Sequence, residues 1–167
     1  MADPINKQII AAVISRLENI TVANGYEFDV GTVGQADRDL DMGEVNTKDI
    51  WVSAEEDKEE PTLSWPGNPP RLWMNLTLRL IGFAKQIDVD ETEVGVTEFS
   101  TDEDQMAAAI RKALANNDAG QWHTFGGLAV MASFGNYSQF NEPGWDGAVV
   151  ELVIGYRVSE INPFSAS

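Results

Sequence analysis

From Gly147 to Val158, apolar residues recur at every second position. Val150, Leu152, Ile154, Tyr156 and Val158 fall on one face of an extended chain. Val149, Glu151, Val153, Gly155 and Arg157 fall on the other, a mixed set suited to a partly covered surface. This period predicts a long strand that closes a sheet built from earlier segments. The same period runs through Arg71 to Phe83, where Leu72, Met74, Leu76, Leu78 and Leu80 alternate with Trp73, Asn75, Thr77 and Arg79. Shorter strands are expected over Tyr26 to Val33, Asp49 to Ala54 and Leu128 to Phe134. Residues 137–146 are expected to turn the chain into the last strand.

Two segments carry the helical period instead. Ile5, Ile9, Val13, Leu17 and Ile20 form a stripe behind Asp3-Pro4, read as N-cap and first helical residue, and Asn24-Gly25 is the expected stop. Met106, Ile110, Ala113 and Leu114 form the second stripe. Ser100 and Glu103 have capping-box spacing there, and Asp102 to Asp104 place negative charge at the positive end of the helix dipole. Helix, two strands, long strand, helix, two strands implies antiparallel pairing. The predicted fold is α+β, a two-layer sandwich whose mostly antiparallel sheet is covered on one face by two helices. The chain reads as a single domain, 1–167, with acidic or proline-rich loops at 34–48, 55–70 and 86–99.

Charge sharpens the picture of those loops. The formal net charge is −16; residues 35–60 contribute −7 and residues 86–104 contribute −8. The basic footprint of a nucleic-acid binder is missing, so repelling a phosphate backbone is easier to envisage than gripping one. The plain alternative is two solvated loops that keep the protein soluble. Cysteine is absent, which excludes disulfides and thiolate sites. Met1-Ala2-Asp3-Pro4 lacks the basic start and apolar run of a signal peptide, and no apolar run is long enough to span a membrane. A soluble protein made inside the cell is expected.

Catalytic patterns are not found. His123 is the single histidine, in Gln121-Trp122-His123-Thr124, and a general base needs an orienting partner. Phosphate-binding glycine loops and a nucleophile elbow do not occur. Asp37-Arg38-Asp39-Leu40-Asp41-Met42-Gly43 imitates a calcium loop, but Met42 replaces the glycine and Lys48 the bidentate glutamate. A different cation site there, or at Asp88-Val89-Asp90-Glu91, is the residual metal reading. No enzyme activity, metal or cofactor is expected. Trp65 and Trp145 sit beside prolines or glycines, either as anchors folding a loop onto its own domain or as anchors for a neighbouring subunit. Arg157 either pairs with Glu151 within the sheet or reaches such a neighbour.

The order of elements across nearly the whole chain resembles the tail terminator proteins of long-tailed bacteriophages. The resemblance rests on the opening helix with Gly25-Tyr26, the strand ending Ile50-Trp51-Val52, the strand Leu72 to Leu80, and the helix Asp102 to Leu114. It is completed by an ending in Val-Ile-Gly-Tyr-Arg with Asn162-Pro163-Phe164 behind it. It implies a virion protein assembled in the host cytoplasm as a homohexameric ring. Such a ring caps the tail tube, stops its polymerisation and meets the head–tail connector. Its partners would be itself, the tail tube protein and the connector or neck proteins, with DNA passing through unbound and no membrane involved. Trp65, Trp145, Arg157 and Phe164 are then the candidate interface residues. Asp88, Asp90, Glu91 and Glu93 are candidate acids lining the lumen. The longer segments at 34–48 and 55–70 depart from the family pattern. They leave open another neck, head-completion or minor tail protein, or, from a different class, a small-ligand-binding α+β domain.

Overall fold

A computed structural model describes residues 3–36, 45–60, 63, 64, 66, 71–86, 102–115, 122–142 and 144–159. Helix α1 (Ile5–Leu17) is followed by strands β1 (Val33–Ala36), β2 (Ile50–Glu59) and β3 (Arg71–Gln86). Helix α2 (Glu103–Ala115) then precedes β4 (Met131–Glu142) and β5 (Trp145–Ser159). The five strands form one sheet in the order β1-β2-β3-β5-β4. Every pairing is antiparallel except β1 with β2, which is parallel. The chain is therefore the α+β two-layer sandwich that its periodicities predict. The last strand closes the sheet from inside, between β3 and β4.

The core lies between the sheet and both helices. Leu76, Leu78 and Leu80 of β3 and Val150, Leu152 and Ile154 of β5 are buried against Ile9, Val13 and Leu17 of α1 and Met106, Ile110 and Leu114 of α2. At roughly 1.5–3 kcal/mol for each fully buried aliphatic side chain, this layer is the main source of stability. The helices are also tied to each other through charge. Arg16 of α1 donates from Nη1 to the Leu114 carbonyl (2.9 Å), meeting the negative end of α2, and its guanidinium lies 4.3 Å from the Phe125 ring centroid. Lys112 donates to the Gly25 carbonyl (2.6 Å) and sits over the Tyr26 ring.

Several local expectations are corrected. Pro4 occupies the N-cap of α1 with no side-chain cap, so Asp3 does not hold that role. The helix ends at Leu17, and Gly25 at φ 82° instead closes a separate 3-10 helix, Val22–Asn24. Tyr26 to Val33 is not a strand. Tyr26 and Phe28 are buried, so their alternation records two side chains dipping into the core from a bent segment. The strand is β1, which begins at Val33 and runs into the stretch read as a loop. The thirteen residues between Ala36 and Ile50 meet the length a parallel connection needs. The second helix does have a capping box, but shifted by two residues: the Asp104 N–H donates to Asp102 Oδ1 (3.0 Å) and the Asp102 N–H to Gln105 Oε1 (3.3 Å). Ser100 lies outside the described residues.

Strand β2 runs on through Glu55 to Glu59, which composition reads as an excursion from the core. The long partner β3 supplies its backbone hydrogen bonds, with a register shift between Ala54 and Glu56. Its acids find partners as well: Glu55 pairs with Arg79 (3.3 Å), Glu56 with Lys58 (2.8 Å), and Asp57 accepts from Tyr156. Strand β4 begins three residues later than expected and continues to Glu142, so the chain turns only around Gly144. Gly135-Asn136 becomes a bulge opposite β5 and does not end the strand.

One acid is wholly internal. Asp49 is the single buried charged residue among the described ones. Its carboxylate accepts the Thr32 N–H (2.6 Å) and the Asn46 N–H (2.9 Å), and its carbonyl accepts the Phe83 N–H (3.0 Å). Backbone donors on separate segments thus converge on Asp49 and hold the β1–β2 connection against β3.

Candidate interaction surface

The helices fill one face of the sheet; among the described residues no second layer covers the whole of the other. Its two ends differ. At the end where β5 begins, Val45, Phe83 and Trp145 are buried together, with Trp51, Ile81 and Phe140 packed around them. The Phe83 ring meets Trp145 and Phe140 edge-on, with centroids 5.5 and 5.4 Å apart. Further along, the face becomes polar, with the Arg79–Glu55 and Lys58–Glu56 pairs exposed on it. Glu56 beside Lys58 pushes that amine's pKa up, so it stays charged.

At the far end Trp73 of β3 faces Arg157 of β5 in register. The Trp73 ring lies across Gly155, where any Cβ would collide with it, and the Arg157 guanidinium sits 5.5 Å from the ring centroid. The indole Nε1–H donates to Asn75 Oδ1 (3.0 Å), and the Trp73 backbone N–H donates to Ser64 Oγ (3.0 Å). Trp73 is thereby buried on a face that periodicity marks as polar. The missed signal was a glycine inside an apolar strand; its meaning needed the register that puts a tryptophan beside it.

The sequence-derived candidates separate in this frame. Arg157 is exposed on the face away from the helices, and its partner among the described residues is the Trp73 ring, not Glu151. Trp145 is not in a loop. It is the first residue of β5 and, at 7% exposure, anchors its own domain, which leaves almost none of its ring for a neighbour. Trp65, Phe164, Asp88, Asp90, Glu91 and Glu93 lie outside the described residues, as do the Asp37 to Gly43 segment and the Asp88 to Glu91 cluster. His123 is half-buried in the 3-10 segment Trp122–Gly127. Among the described residues no group of three or more His, Asp or Glu is arranged to hold a metal ion, and no helix is long and apolar enough to cross a membrane.

A cleft of about 200 Å³ opens between the Gly25–Phe28 segment and α2, with Gln105, Ala108, Ala109 and Lys112 on its helix side. Sites for small organic ligands usually enclose about 300–1,000 Å³ and gather several convergent polar groups. Here the Lys112 amine is already engaged by Gly25 and Tyr26. The sheet face away from the helices is the better candidate surface. No protein-family model matches the chain, and no curated protein sequence matches it.

Proposed function

We infer that this chain is a structural virion protein of the phage tail-terminator type. It would form a ring that caps the tail tube, stops its growth and offers a surface to the head connector. The observation that carries this reading is the half-covered sheet. Two helices bury one face, while the other keeps an apolar corner, paired charges and an exposed arginine on a tryptophan. A surface of that kind suits contact with another protein better than turnover of a small molecule. The order of elements, resembling that of tail terminators, supplies the kind of assembly. The acidic stretches at 35–60 and 86–104 suit a channel through which DNA slides without adhering.

Negative-stain microscopy and native mass spectrometry of the purified protein, alone and with polymerising tail tube protein, test the reading. Rings of a single copy number are expected, seated at one end of tubes that no longer lengthen. A chain that stays monomeric at high concentration and is absent from tube ends overturns it. Rings that bind the head connector but leave tube growth unchanged would assign the chain to a different position in the neck.

A further inference from the structure

Asn24-Gly25 is the single Asn–Gly pair in the chain. A glycine has no side chain to hinder attack of its amide nitrogen on the asparagine before it, so this pair holds the chain's most reactive side-chain amide. The fold leaves it in the open. Val22, Ala23, Asn24 and Gly25 are all exposed, and nothing lies within 4 Å of where a Gly25 side chain would begin. The short 3-10 turn Val22–Asn24 buries no residue of its own. Its hold on the domain comes from Tyr26 and Phe28, which follow it into the core.

In the closed turn the reacting atoms are engaged elsewhere. Asn24 Nδ2 donates to the Asn19 carbonyl (2.9 Å), and the Gly25 N–H donates to the Val22 carbonyl (3.0 Å). The Gly25 carbonyl accepts from Lys112 Nζ of α2 (2.6 Å), whose amine also lies 4.4 Å from the Tyr26 ring centroid. For the Gly25 nitrogen to meet Asn24 Cγ, it must leave Val22, so the turn must open. The first two bonds are local to the turn, and the Lys112 bond ties the pair to a helix. A turn with no buried residue opens far more often than the whole domain unfolds.

We propose that Asn24 is a deamidation site of this chain, gated by the Lys112 contact. In the opened turn the Gly25 nitrogen gives its proton to water or hydroxide and attacks Asn24 Cγ. The new C–N bond closes a five-membered imide while the Cγ–Nδ2 bond breaks and ammonia leaves. Water then opens the ring at either carbonyl, leaving aspartate or iso-aspartate at position 24 with no change of oxidation state. Neither product restores the turn. A carboxylate there has no N–H for the Asn19 carbonyl and repels that oxygen. The iso-aspartyl form also routes the main chain through the side-chain methylene, which shifts Gly25 relative to Lys112 and the buried Tyr26. The change loosens the contact between this turn and α2 in one direction only. It stands independently of the ring reading.

The full chain is incubated in mildly alkaline buffer, folded or in urea, and the tryptic peptide containing Asn24 is followed by mass spectrometry. Isoaspartyl-specific methylation separates the two products, and Asn24→Gln should abolish the signal. In urea, conversion at Asn24 should outpace that at every other asparagine. In the folded chain it should run roughly tenfold to a thousandfold slower, the range of local opening and well short of the suppression that global unfolding would impose. Lys112→Met keeps the aliphatic stem and removes the donor. With an unchanged cooperative melt, it should speed conversion of the folded chain about fivefold, as loss of one hydrogen bond does, and leave the rate in urea unchanged. Faster conversion at another asparagine in urea overturns the site. A folded chain that reacts as fast as the unfolded one, or only as fast as it unfolds globally, overturns the gating by local opening. A folded-state rate indifferent to Lys112→Met overturns the role of Lys112.

Discussion

Tyr156 carries its hydroxyl to the rim of the core, where it donates to Asp57 (2.9 Å), and Asn6 Nδ2 donates to the same carboxylate (2.9 Å). One acid thus joins α1, β2 and β5. Burial first, and then the Asp57 charge, push the Tyr156 pKa well above the ordinary phenol range. The neutral phenol is therefore the form that the fold prefers. Its contribution is complete below the unfolded tyrosine pKa of about 10 and drains as pH rises beyond it. Urea unfolding should place Tyr156→Phe about 1 kcal/mol below wild type at pH 7. The gap should close within roughly one unit above pH 10. A gap of constant size from pH 7 to 11 would dissociate Tyr156 from this linkage. Tyr137 is also raised, by burial and by Asp104, but it is present in both proteins and cancels.

Among the elements, β3 and β5 bear the fold, pairing from Arg71–Ser159 to Gln86–Trp145. Leu76 and Ile154 face each other in register at the centre of that ladder, and both are buried. Replacing either with Asp buries a charge without a partner, a cost that exceeds about 4 kcal/mol and consumes most of the stability of a domain this size. Neither variant should show a cooperative melt; a soluble, cooperatively melting Leu76→Asp protein would contradict this pairing. Both strands and both helices were legible because their period matches their burial. The acidic half of β2 was not, since its ladder depends on β3, and strand pairing outweighs a composition that on its own reads as solvated. The stacking of Arg157 on Trp73 was likewise illegible: the two lie on different strands and meet only through the register of β3 with β5.

For the whole molecule, the decisive quantity is the net charge of −16, concentrated in two stretches. Replacing Asp88, Asp90, Glu91 and Glu93 by their amides relieves like-charge repulsion, so the melting temperature should stay the same or rise. If these acids line a channel, particles carrying the variant should release DNA more slowly in a real-time ejection assay. Unaltered ejection would take the lumen role from them.

By itself the sequence determined the class of fold, the helical stripes and the two long strands. Each of these follows from local periodicity or from which residue types are present. Tertiary structure decided the rest. It chose a parallel partner for β2, buried Asp49 as a backbone anchor, turned Trp145 inward and set Arg157 on Trp73. The physical reason is common to all four. Each depends on residues distant in the chain meeting at one place, and a register between strands carries that information where a period along one strand does not.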